Sequence, residues 1–198
     1  MNLMSAENTT FGVPRFLSFI DLAYLNEAMK IAENVFEKQI REAGAAPDQN
    51  QIGNINATRQ SLYRSIFISA YACFEQNLDE LCIMKAEKEG CTWKPNDLKD
   101  RGIARSIKFI QKSFSANIEN DREPWSALNR LNSVRNHLVH YGPHFNNSEE
   151  HGKLYKNLKN FKLVSLRPMI CFDAEQIEQI FDLMLIGINA FSEAMHEF

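Results

Sequence analysis

No Cys-x-x-Cys pair occurs in this chain, no apolar run reaches the length of about twenty residues that crosses a bilayer, and neither sign of charge predominates. Each absence removes a class of protein. The four cysteines, Cys73, Cys82, Cys91 and Cys171, have neither zinc-ribbon nor redox spacing. Cys73 and Cys82 fall in an apolar helical pattern, where a thiol behaves as a small core residue. A formal charge of −3 argues against a surface that is basic all over, so nucleic-acid binding would need a local basic patch. A phosphate-binding glycine loop, a Ser-His-Asp ordering and a dinucleotide fingerprint are all missing, and the eight glycines are scattered. Met1 to Thr10 is polar where a secretory leader would be apolar. A cytoplasmic protein with reduced thiols and no membrane partner is expected.

What is present suits a globular chain. Hydrophobic residues make up 44% of 198 residues and charged ones 24%, which predicts one domain over 1–198 with a real core. Helical periodicity dominates. Leu25, Met29, Ala32, Phe36 and Ile40 recur at three- and four-residue steps, giving a first helix from about Pro14 to Glu42 that Gly44 stops. Ala45 to Asn56, rich in Asn, Gln, Asp, Gly and Pro, reads as a loop. A second helix spans about Ala57 to Glu89 on the stripe Leu62, Ile66, Ala70, Phe74, Leu78 and Leu81, making an antiparallel hairpin with the first. A third runs from about Asp97 to Ser115, with Ile103, Ile107, Ile110 and Phe114 on one side and Arg101, Arg105, Lys108 and Lys112 on the other.

The fourth helix begins near Pro124 with Asp121 as its cap, buries Trp125, Leu128, Leu131, Val134 and Leu138, and must end at Gly142-Pro143. Pro143 to Asn160 is polar without an apolar period. Phe161 to Leu166 and Met169 to Phe172 read as short strands. Asp173 and Gln176 have capping-box spacing and open a last helix to about His196. The fold class is all-α, a bundle of about five helices.

The stretch Leu131 to Gly142, LNSVRNHLVHYG, carries the chemistry. Asn136 and His140 are four apart and share a helix face, while Arg135 lies about 140° around the axis from His140 at roughly 100° per residue. One straight helix cannot aim both at one phosphate. A helix loosened at Gly142-Pro143, or a second copy across a two-fold axis, would.

Arg135-Asn136-His137-Leu138-Val139-His140, ending a helix late in a helical domain, resembles the Arg-x(4–6)-His motif of the HEPN superfamily. The resemblance extends over most of the chain in helix order. It implies a HEPN-like bundle that forms a homodimer, with two motif helices facing across a cleft where RNA is cut without metal or cofactor by Arg135, Asn136 and His140. Toxins and antiviral effectors are common in that superfamily, and an antitoxin protein is a partner it implies. Members paired with a nucleotidyltransferase carry a tyrosine two residues after the histidine; here Tyr141 follows His140 directly and Gly142 holds that place.

The residue chemistry agrees. RNA supplies its own 2′-hydroxyl nucleophile, so cleavage needs a proton acceptor, charge stabilisation and alignment. Histidine exchanges protons near cellular pH, and arginine grips a phosphate with two donors. Asn136 can orient His140 or donate to a phosphate oxygen. Lys153, Lys156, Lys159 and Lys162 recur every third residue and are either a solvated edge or a guide for the RNA backbone. Tyr141, Phe145 and Tyr155 offer stacking faces or packing.

Other readings stand beside this one. Arg135 and His140 can simply favour a helix C-terminus, leaving a scaffold, or the same cleft can bind RNA or protein without cutting. A metal site at His137, His140 and His144 is disfavoured because Gly142-Pro143 takes His144 off the shared face. His137 is expected to matter little. Glu75, mid-helix between apolar neighbours, reads as an exposed position, with a buried contact to the motif as the alternative.

Overall fold

The computed structural model describes residues 12–45 and 49–196. The polar segment Met1 to Thr10 lies outside the described residues, as do positions 46–48 of the expected first loop. Among the described residues there are six α-helices and one small hairpin: α1 (Gly12–Ala45), α2 (Gln49–Lys88), α3 (Gly102–Phe114), α4 (Trp125–Tyr141), α5 (Glu149–Leu158), β1 (Ser165–Leu166), β2 (Ile170–Cys171) and α6 (Ala174–His196). The chain is an all-α bundle, with one helix more than its periodicity predicts.

α2 is the central element, packed on by α1, α3, α4 and α6. Its buried positions, Tyr63, Ile66, Phe67, Ala70, Tyr71 and Phe74 among them, follow helical steps of one, three and four residues and form one broad face. That width follows from four neighbours rather than one. α1 and α2 run antiparallel, since Glu33 meets Arg59 and Tyr63 while Ala43 lies beside Gln51 and Ile55.

α2 starts at Gln49, seven residues before the end of the loop expected over Ala45 to Asn56. Ile52 and Ile55 are half-buried and carry the apolar period backwards, so packing on α1 overrides the weak helix preference of the Asn-rich stretch. α3 starts later than expected. Pro95–Asp97 forms a separate 3₁₀ turn, Arg101 is extended, and Gly102 at φ 57° opens the helix. The basic face of α3 is partly neutralised: Arg105 pairs with Asp79 of α2, and Lys108 donates to Asp100 at 2.7 Å. Asp121 does not cap α4; its N-cap is Pro124, with no side-chain capping bond.

The largest correction is α5. The polar stretch after Pro143 folds as a helix because Ser148 caps it, its Oγ accepting from the His151 N–H at 3.3 Å, with Glu149 and Glu150 in the first turn. His151 and Leu158 are buried and Leu154 half-buried, an i, i+3, i+7 stripe in which a histidine fills an apolar place.

Strands form inside both expected segments but shorter than Phe161 to Leu166 and Met169 to Phe172, two residues each, pairing Ser165 with Cys171 and Leu166 with Ile170, while 162–163 form a turn. Gln60 of α2 clamps the hairpin, donating to the Phe172 carbonyl at 2.7 Å and accepting from the Phe172 N–H at 3.0 Å. The capping box of α6 also forms: the Gln176 N–H donates to Asp173 Oδ1 at 2.8 Å and the Asp173 N–H to Gln176 Oε1 at 3.0 Å. Among the described residues no helix is long and apolar enough to cross a membrane.

Candidate functional site

α4 is held at two levels. Leu128, Leu131 and Val134 are fully buried in the core, and the Tyr71 hydroxyl donates to the Leu128 carbonyl at 2.8 Å. Its C-terminal turn projects past that anchor, so Val139, His140 and Tyr141 are exposed. Gly142 stops the helix at φ 74°, ψ −164°, a conformation open only to glycine, and its N–H closes on the Leu138 carbonyl at 3.2 Å. The chain then turns back: the Ile170 N–H donates to the Pro143 carbonyl at 2.9 Å, and His144 bridges to Met169. This return brings α5 alongside the motif helix.

Between α4 and α5 lies a cavity of about 330 Å³. Asn136, His140 and Tyr141 line it from α4, as does His137, and Glu150, His151 and Asn157 line it from α5. The structure therefore brings together three of the residues singled out in the sequence, Asn136, His140 and Tyr141. Arg135 is not among them. It turns toward α2, pairs with the Glu75 carboxylate and sits 5.7 Å above the Tyr71 ring, as the 140° offset within the helix requires. It keeps one link to the cavity, since its Nη1 donates to Asn136 Oδ1 at 2.8 Å. Glu75, Arg135 and Asn136 thus form a polar chain ending at the cavity wall.

Glu75 corrects the sequence reading. Its side chain is only 15% exposed. Burial pushes its carboxyl above the ordinary carboxylate range, and Arg135 offsets only part of that. Its carboxylate lies under Gly102 at the start of α3, where a Cβ would sit 3.2 Å from Glu75 Cδ and closer still to Oε1. Arg64, by contrast, turns to the hairpin and reaches the Ile170 carbonyl at 3.4 Å.

His137 is the second correction. Rather than standing apart, it is 4% exposed and lines the same cavity. Its Nε2 lies 3.2 Å from the His144 carbonyl. A carbonyl only accepts, so Nε2 carries the proton and Nδ1 is left as an acceptor. Burial lowers its pKa from the ordinary 6.5, and the neighbouring His151 adds to this, so the ring is neutral at pH 7. His151 has the opposite tautomer: its Nδ1 accepts from the Asn146 N–H at 2.9 Å, which puts its proton on Nε2. The rings pack as a cluster, His137 stacked on Phe145 at 4.9 Å and edge-on to His151 at 4.4 Å, with Tyr141 4.8 Å from His151.

The four lysines do not line the cavity. Lys153 and Lys156 are exposed on α5, Lys159 caps its C-terminus, and Lys162 lies in the turn beyond. Lys153 pairs with Glu149 at 2.7 Å. Tyr155 and Phe145 meet edge-on at 5.5 Å, behind His137. Among the described residues no group of three or more His, Cys, Asp and Glu side chains is placed to hold a metal ion.

Sequence reading missed His137, His151, Glu150 and Asn157. The four-residue step from Ser133 to His137 to Tyr141 was a readable signal for the first, and Ser148 followed by two acidic residues for the helix that carries the rest. No family model, no curated protein and no solved structure matches this chain.

Proposed function

We propose that the chain is a cytoplasmic, metal-independent endoribonuclease of the HEPN type, acting as a homodimer through the C-terminal turn of α4. The observation that carries this reading is the connectivity of the motif. His140 and Asn136 share one cavity wall, and Asn136 is tied to Arg135, so the three residues act as one unit although Arg135 faces away.

In the reaction, the 2′-oxygen of the RNA attacks the adjacent phosphorus, the P–O2′ bond forms and the P–O5′ bond breaks. The proton leaves the 2′-hydroxyl for a base and another is delivered to the 5′-oxygen, giving a 2′,3′-cyclic phosphate and a 5′-hydroxyl. One exposed His140 per chain supplies one proton-transfer group and a second copy across a two-fold axis supplies the other, while Arg135 acts in each chain through Asn136, to which it donates. Lys153, Lys156, Lys159 and Lys162 guide the RNA backbone outside the cavity. An antiphage or toxin role, held in check by an antitoxin protein, suits an enzyme of this kind.

The rival is a non-catalytic HEPN-like domain that binds RNA or protein. It is favoured by the half-buried Glu75–Arg135 ion pair, which occupies the arginine in the single chain. Purified protein incubated with RNA in EDTA separates the two. Cleavage to cyclic-phosphate ends is expected, with His140→Ala slowed about 10²- to 10⁴-fold and its melting temperature unchanged because His140 is exposed. Intact RNA, or a His140 variant as fast as wild type, refutes the catalytic reading.

A further inference from the structure

The cavity between α4 and α5 is unsuited to the phosphate that the motif would act on. None of the residues lining it is Lys or Arg, and its one charged group is the Glu150 carboxylate. Its volume of about 330 Å³ lies at the small end of the roughly 300–1,000 Å³ of ligand pockets. Its walls are ring faces and edges, those of His137, Tyr141 and His151, above the half-buried Leu154. A flat, uncharged aromatic group fits such a wall, and an anion does not.

The polar groups narrow the choice. Hydrogen bonding fixes His151 with its proton on Nε2, leaving a donor there, and leaves His137 Nδ1 as an acceptor. Asn136 has spent its oxygen on Arg135 and retains its amide donors. Glu150 makes one weak contact, from the Tyr141 hydroxyl at 3.5 Å to Oε2, so its carboxylate remains an acceptor pair at the rim. Guanine alone among the four RNA bases presents two adjacent donors, N1–H and the 2-amino group, that one carboxylate accepts together, with O6 beside them for a donor. Adenine and cytosine set a ring acceptor next to their amino group, and the uracil imide is flanked by two carbonyls. Each of these would face Glu150 with a lone pair.

We propose that this cavity is a guanine subsite, with Glu150 accepting from the Watson–Crick edge, the Tyr141 ring stacking on the base, and His151 donating to O6. The subsite rests on the ribonuclease reading only for its purpose: a base seated here leaves its phosphate at the cavity mouth beside His140. The base edge is read by hydrogen bonds and the ring by stacking, the mode in which unstacked RNA bases are recognised.

Titration of the full chain with guanosine, adenosine, cytidine and uridine, followed by the histidine ring signals in NMR, tests the subsite without any cleavage. Guanosine should shift the His137 and His151 signals and bind about tenfold or more tighter than the other three, the discrimination expected of a bidentate base contact. Glu150→Gln, an exposed change outside the core, should abolish that preference with helical content unchanged. Equal binding of all four nucleosides, no shift with guanosine up to its solubility, or an unaltered preference in the Glu150 variant overturns the proposal. RNA cleaved without regard to guanine removes the subsite and leaves the ribonuclease standing. Guanosine bound by a protein that leaves RNA intact does the reverse.

Discussion

Gly102 opens α3 with φ 57°, and the carboxylate that holds Arg135 lies beneath it. Gly102→Ala therefore has two separable costs. The first is backbone: a residue with a Cβ in the left-handed region costs about 1–2 kcal/mol. The second is the displacement of Glu75, because the new Cβ would overlap its Oε1, and the far end of this side chain is tethered to Arg135. Losing a charge-assisted hydrogen bond at a half-buried site costs about 1.5–3 kcal/mol. Together they come to about 2.5–5 kcal/mol, which for a chain of this length lowers Tm by roughly 5–20 °C. Calorimetry on Gly102→Ala, Glu75→Ala and the double variant measures the coupling. With the carboxylate gone, only the backbone cost remains, so adding Gly102→Ala to Glu75→Ala should lower Tm by about half as much or less. Equal effects in both backgrounds would show that Glu75 does not reach beneath Gly102, and the polar chain from Glu75 to the cavity would fall with it.

The neutral, buried His137 ties stability to pH. Its folded pKa is below the ordinary 6.5, so the unfolded chain binds the proton more tightly, and the stability it contributes is present above pH ~6.5 and lost as pH falls toward the folded value. Tm should drop between pH 7.5 and 5.5, and His137→Gln should flatten that drop while lowering Tm at pH 7.5; an unchanged slope refutes the assignment. Reversing Lys153 and Lys156 to Glu should weaken RNA binding and shrink its salt dependence, as fewer counterions are released. A salt slope equal to that of wild type makes the stretch a solvated edge.

Several elements were legible because one neighbour or none decides them. The apolar steps of α1, α4 and α6, the stop at Gly142-Pro143 and the Asp173–Gln176 capping box all follow from local chemistry, and the angle that parts Arg135 from His140 follows from helix geometry alone. What stayed hidden depends on distant partners. Glu75 reads as exposed until Arg135 and α3 surround it. The first turns of α2 look like loop until α1 covers Ile52 and Ile55. α5 hides its apolar stripe behind a histidine, since imidazole scores as polar yet here fills a core position at 3% exposure. The cavity needed both α4 and α5, so missing the second helix concealed half of its wall.

The stretch that carries α5 is fastened at both ends, and between them only its inner side, Phe145, His151 and Leu154, is held against α4 and the core. Pro143 and His144 are stitched to β2 before it, and Leu158 and Phe161 sink into the core after it. The bundle of α1, α2, α3 and α6 takes no part in its outer face. A chain built this way can trade the exposed cavity-lining positions Glu150 and Asn157, changing what the α4 histidine looks out upon, without refolding the frame that holds that histidine in place.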